Sequence, residues 1–292
     1  MYASLGLINS RRHGGGEILG THQKIDKVAR QLLRLQQPQL AKSFPSTKEI
    51  LFFEGARGPD GLKKKSPGRE EPAQFLNPAH DDGKLFKDLL NYRAQLIMAL
   101  KKQDRTKAAF AAAWLAHIIT DGLTPAHHYP YQDAVDALMT DKDYAQFFGQ
   151  KIKGIMRGNS IPQTLRNNWL YWGAGGIMTK HIAFEYGISC LIAPLSQKKL
   201  LFSTISSAAF VKAQAYQQKH PGRIMPKSCF YGGVKRIDAL KMYERFIVSG
   251  WTTTLAIEVR SFLIPEIIAI VYLIWADCLS RALSTAKDNH HA

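Results

Sequence analysis

Two pairs of residues have the types and spacing of metal ligands. His117 and Asp121 stand four apart in "AHIITDGLTPAHH", and His181 and Glu185 stand four apart in "HIAFEYG". On a helix that interval puts both side chains on one face, one turn above the other. Both segments are otherwise apolar, and burying an imidazole with a carboxylate is costly unless each is satisfied. A metal bound through imidazole nitrogen and carboxylate oxygen satisfies both. One such pair taken alone is more often the mark of an ion-paired histidine. Two pairs in apolar settings favour the metal.

The elements that would hold these pairs read as helices. Ile25, Val28, Ala29, Leu32 and Leu35 recur at helical intervals after His22, and helical patterns resume over Lys84–Lys102 and Arg105–Thr120. Gly122 and Pro125 end the latter. Later breaks are expected near Gly158, Gly173 to Gly176, Pro194, His220 to Gly222 and Gly232. Residues 55–83 are dense in Gly, Pro and charge and predict a long irregular loop. With no alternating pattern, the expected class is all-α. The organisation expected is a flexible segment over residues 1–20, one helical domain over 21–285 and a polar tail over 286–292. The run Phe262 to Ala276 contains Glu266 and is shorter than the roughly 18 residues a bilayer span needs. A buried core helix is the expectation, with a membrane anchor as the alternative.

The ordered set of histidines and acids resembles the zinc-dependent phospholipase C family and its superfamily with the S1/P1 nucleases. That family's pattern runs His, Asp, His, then His-xxx-Asp-xxxxx-His, then His-xxx-Glu. His22, Asp60, His80, His117, Asp121, His127, His181 and Glu185 follow that order between about residue 20 and residue 187. The resemblance implies an all-helical domain holding two or three Zn²⁺ ions. Asp60, His80, His117 and Asp121 would take one ion, and His127, His181 and Glu185 a second. His22 would take a third, with Asp121 bridging. The step of six from Asp121 favours His127, with the adjacent His128 as the alternative.

Two departures from the family pattern stand out. Members are typically exported and processed to an N-terminal tryptophan that helps bind the third zinc, whereas the first tryptophan here is Trp114. The interval from His127 to His181 is also long, which implies an inserted helical excursion over about residues 133–178.

By the same resemblance the chain is expected to be a zinc-dependent phosphodiester hydrolase that cleaves phospholipid headgroups with metal-activated water, Asp60 serving as ligand and base. A nuclease or nucleotidase of the superfamily and a non-catalytic metal-binding protein are the alternatives. The adjacent His80 and Asp81 also suggest an HD-type phosphohydrolase, which leaves His181 and Glu185 without a role. A net charge of +16 suits a polyanionic partner. Arg57, Lys63, Lys64, Lys65 and Arg69 around Asp60 could meet a phospholipid headgroup or an anionic membrane. Cys190, Cys229 and Cys278 are too few and too scattered for a disulfide framework. The first residues lack the order of a signal peptide, so the expectation is a cytoplasmic protein, or an exported one if the true start lies upstream.

Overall fold

The computed structural model describes residues 19–54, 58–59, 72–79, 83–128, 134, 137–138, 155–193, 199–222 and 224–288. Among them every regular element is helical and no strand occurs. The helices are α1 (Thr21–Gln36), α2 (Thr47–Phe52), α3 (Lys84–Lys101), α4 (Arg105–Gly122), α5 (Ile161–Trp172), α6 (Ile177–Leu191), α7 (Lys199–Lys219), α8 (Pro226–Asp238), α9 (Met242–Ser249), α10 (Thr253–Glu258) and α11 (Ile264–Asp288). A short 3₁₀ turn, Pro125–His127, follows α4.

Helix α11 is the axis of the core. Its apolar run is buried all round, and it packs on α1, α3, α4, α7 and α8. Trp275 fills the centre and donates its indole N–H to the Ala112 carbonyl at 3.2 Å, which pins α11 to α4. A π-helical turn, Val259–Leu263, joins α10 to α11 just before Pro265, where the missing proline N–H interrupts the regular ladder. The helical stretch Thr253–Ser284 is therefore longer than the apolar run alone suggested. It has the length and hydropathy of a membrane span, yet its most apolar window is 94% buried inside the protein. That burial is what a core helix requires. Glu266 within it is buried but paired with Arg236 at 3.0 Å and Lys212 at 3.0 Å.

Helices α3 and α4 form a tight antiparallel hairpin, turned by Gln103 at φ 55° and capped by Asp104, which accepts from the Lys107 amide at 3.0 Å. Along α4 the alanines 108, 109, 111, 112, 113 and 116 are buried, and their small size lets neighbouring helices approach closely. The break expected at Gly232 does not occur. Gly232 and Gly233 lie inside α8, because a Cβ at Gly233 would collide with Ile270 of α11 and glycine there serves close helix packing. Pro194 lies outside the described residues, as do residues 1–18 and 289–292.

Helix α6 is held at the edge of the core by an aromatic cluster. Phe184 stacks on Trp251 with centroids 5.3 Å apart and meets Tyr243 and Phe246 edge-on. A Cβ at Gly187 would overlap the Trp251 indole. Gly187→Ala should therefore cost a net ~1–2 kcal/mol, since overpacking against a braced indole exceeds the helix-propensity gain of about 1 kcal/mol. Urea denaturation should show a lower midpoint at unchanged slope, and an unchanged or raised midpoint would refute the contact.

Candidate metal centre

Four helix segments converge on one buried polar centre. Helix α1 supplies His22 in its first turn, α4 supplies His117 and Asp121 in its last turns, the 3₁₀ turn supplies His127, and α6 supplies His181 and Glu185. Local forces fix each approach. Gly20 donates its amide to the Gln23 side chain at 2.9 Å and so starts α1 immediately before His22. Thr21 and Ser189 share a hydroxyl hydrogen bond of 2.8 Å that ties α1 to α6. Thr124 donates its hydroxyl to the Thr120 carbonyl at 2.7 Å, closing α4 so that Pro125 can redirect the chain and bring His127 back to Asp121.

Asp121 lies at the middle. One carboxylate oxygen is 3.3 Å from His22 Nε2 and 3.8 Å from His127 Nε2, and the other is 3.2 Å from His117 Nε2. On one side His22, His117 and Glu54 converge, with the His22 and His117 rings stacked at 4.1 Å. On the other, His127, His181 and Glu185 converge, with Glu185 Oε1 2.8 Å from His127 Nε2 and 3.3 Å from His181 Nε2. Each triad places ligand atoms within 4.8 Å of one another, and both are buried. Two His/Glu clusters that could hold a metal ion thus lie on either side of a shared carboxylate.

Hydrogen bonding and burial set the protonation of the centre. His127 Nδ1 faces the Gln74 carbonyl at 2.8 Å, and a carbonyl only accepts, so Nδ1 carries the proton. Burial lowers the His127 pKa and keeps the ring neutral. Burial alone would raise the Glu185 carboxyl, but it is held well below the usual range, with His181 and His127 among the groups that keep it ionised. His127 Nε2 and Glu185 Oε1 stand 2.8 Å apart, close enough for one cation to take both as ligands. On the other side both ring nitrogens of His22, one carboxylate oxygen of Glu54 and one of Asp26 are buried without a hydrogen-bond partner among the described residues. Such orphaned atoms are costly unless an ion or a proton engages them. Burial would lower the His117 pKa, but Asp121 and Glu54 on its two nitrogens raise it well above the ordinary value. Burial and Glu54 raise the Asp26 carboxyl well above its usual range.

The structure brings together His22, His117, Asp121, His127, His181 and Glu185 from the expected set. Asp60 and His80 lie outside the described residues, as do Arg57, Lys63, Lys64, Lys65 and Arg69. The grouping differs from that implied by the resemblance, since His22 stacks on His117 and shares a cluster with it and Glu54. His127, not His128, enters the centre. The half-buried His128 turns away, its Nε2–H donating to the Gly122 carbonyl at 2.6 Å. Burial lowers its pKa to about 4, so it is neutral near pH 7. Within the expected excursion the described part contains α5, and residues 139–154 are outside the description.

Two residues of the centre escaped sequence reasoning. Asp26 follows His22 by four, the same interval as the two pairs that were recognised, and that signal was available. Glu54 had none. It reaches His117 Nδ1 at 2.9 Å from the end of the α2 segment, across 63 positions of sequence. A strap over residues 72–79 closes the His127 side through Leu76 N–H to the His127 carbonyl at 3.0 Å, and Phe75 stacks on the His127 ring at 5.1 Å. No family model matches the chain, and neither a curated protein nor a solved structure gives a significant match.

Asp121→Asn should weaken metal binding in both clusters at once, because that carboxylate faces histidines of each. Glu54→Gln should weaken it by about 10–100-fold on the His22 side alone, whereas His128→Gln should leave metal content unchanged. Zinc titration calorimetry of the dialysed variants measures this, and loss of binding in the His128 variant with retention in His127→Gln would reverse the assignment.

Proposed function

We propose that the protein is a zinc-dependent phosphodiester hydrolase of phospholipase C-like type. The observation that carries this reading is the pair of buried His/Glu clusters flanking Asp121. Imidazole and carboxylate in closely spaced buried sets are the donors zinc prefers, and a shared carboxylate is the usual link between adjacent hydrolytic metals. His127, His181 and Glu185 would hold one ion. His22, His117 and Glu54 would hold another, with Asp121 available to both. Zinc bound there supplies Lewis acidity, which brings the pKa of water toward neutrality and offsets charge on phosphoryl oxygens.

The chain's own groups do the positioning. Gln74 fixes the His127 tautomer, leaving Nε2 turned inward. Glu54 plays the same part for His117 from the far side of the ring or, as a member of the triad, ligates directly. Phe75 lies over His127 and 5.9 Å from His181, so it walls the centre and excludes water along that edge. His181 is the most exposed member of the centre at 8%, which makes its side the approach for substrate. Asp60, in the basic segment before the strap, is the proposed ligand and base carried by the resemblance. The similarity of the His117 to His128 segment to the phospholipase branch favours a lipid phosphodiester over a nucleic acid.

The test incubates zinc-loaded protein with phospholipid vesicles and, separately, with single-stranded DNA and RNA, and identifies the products. Diacylglycerol and phosphorylated headgroup should appear, and chelator or Asp121→Asn should reduce the rate by at least about 10²-fold. Nucleotide release without lipid cleavage would move the protein to the nuclease branch. No turnover of either substrate at full zinc occupancy would overturn the hydrolase reading.

A further inference from the structure

Helix α5 has a well-anchored inner side and an apolar outer side. Inward, Asn167 donates to the Leu138 carbonyl at 2.6 Å, Asn168 donates to the Met156 carbonyl at 2.9 Å, and Tyr171 packs with Met156, Ile177 and Met178 in a small core of its own. Ser160 caps the helix by accepting from the Gln163 amide. Outward, Ile161, Leu165, Trp169 and Trp172 are exposed by 79, 68, 70 and 45%. Their spacing of i, i+4, i+8 and i+11 aligns them in one stripe along the helix. Ile155 and Leu170 are also exposed apolar residues, Leu170 on the side of the helix away from Ile161. A stripe with two indoles and two branched aliphatics is a patch that calls for a partner.

Charge selects the partner. From Ile155 to Phe184 there is no Asp or Glu, while Arg157, Arg166 and Lys180 are basic and the chain as a whole carries +16. Exposed tryptophan with aliphatic residues on one helical face and basic residues alongside is the composition that settles at a bilayer interface. At 12 residues, α5 is too short to span a bilayer and suits lying in its plane. We propose that the outer face of α5 docks the protein on an anionic lipid surface, with Ile161, Leu165 and Trp169 entering the headgroup region. The consequence for the centre is positional. Helix α5 passes through the Gly173 to Gly176 turn into α6 and packs against it, so docking would set the helix bearing His181 and Glu185 beside the membrane. Docking needs only this face and does not rest on the hydrolase reading.

The experiment is co-sedimentation of the full-length protein with sucrose-loaded phosphatidylcholine vesicles, with and without phosphatidylglycerol, with headgroup release measured in the same samples. Binding to anionic vesicles should exceed binding to neutral ones by at least about tenfold and should weaken with salt. Leu165→Ser combined with Trp169→Ser should reduce it by about tenfold or more, and Ile161→Ser alone should reduce it less. All three positions face solvent, so circular-dichroism melts should be unchanged and the comparison stays interpretable. Wild-type protein that ignores anionic vesicles, or a double variant that binds as well as wild type, would overturn the proposal. So would a wild-type dimer that the double variant converts to monomer without any vesicle binding, because the stripe would then be a self-association face. Vesicle binding without headgroup release would leave docking standing and count against lipid hydrolysis, and the converse result would separate the two the other way.

Discussion

The burial of one carboxylate determines how the other polar groups must be arranged. Asp121 is 1% exposed at the end of an alanine-rich helix whose last four turns are largely apolar. An ionised carboxylate in such a place is tolerable only with cations or donors on both oxygens. His117 lies 3.2 Å away from within α4, and His22 and His127 approach from α1 and the 3₁₀ turn. Those histidines in turn need partners, and Glu54, Gln74 and Glu185 supply them. The result is a connected polar network inside an apolar bundle, where leaving any member out strands the next. Buried networks of this kind are costly when partly satisfied and rigid when complete. His22, whose two ring nitrogens are buried without a hydrogen-bond partner among the described residues, is the point at which protein groups alone do not complete it.

The bundle supplies the rigidity that such a network demands. Helix α11 contacts two of the ligand-bearing helices, α1 and α4, and Trp275 fastens it to the α4 backbone one turn and a half before His117. The α6 side is braced differently, by Phe184 against Trp251 and Phe246 and by the Thr21 to Ser189 bond to α1. A shift of either helix by a fraction of an ångström would alter every distance to Asp121, and close packing resists such shifts. The charge-bearing residues of the core follow the same logic. Glu266 and Asp277 on α11 are buried only because Arg236 and Lys212, and Arg93 and Arg281, reach them.

What the sequence made legible was periodic or repeated. The helices around His22, over Lys84–Lys101 and over Arg105–Gly122 carry long apolar repeats, and the structure places them within two residues of the pattern. The two His-xxx-acid pairs were visible because a fixed interval survives without any knowledge of tertiary structure. Asp26 was equally visible by that rule, yet "HQKID" carries Gln23 and Lys24 and does not read as a buried segment, although both are buried. Glu54 was hidden for a physical reason: its contact with His117 is made by folding, across distant sequence, and no local pattern encodes it. Gly232 misled because glycine breaks helices by default, and only the proximity of Ile270 to Gly233 reveals that small side chains here serve packing. Proximity also decided between His127 and His128. The residues are adjacent and chemically identical, and what separates them is the turn after Pro125, which aims one ring at Asp121 and the other at the Gly122 carbonyl.

The two faces of α5 differ in chemistry, polar and anchored within, apolar and exposed without. Its inner asparagines satisfy the carbonyls of Leu138 and Met156, while its large apolar side chains point outward. A helix whose only purpose was to cover the centre would put Leu165 and Trp169 inward and Asn167 and Asn168 outward. The inverted arrangement lowers solubility, because it leaves large hydrophobic residues in water. It persists at no cost to the core, which is already complete around α11, and it occurs on the helix adjoining the one that carries His181 and Glu185. Apolar surface thus lies on the helix next to the more accessible side of the polar centre.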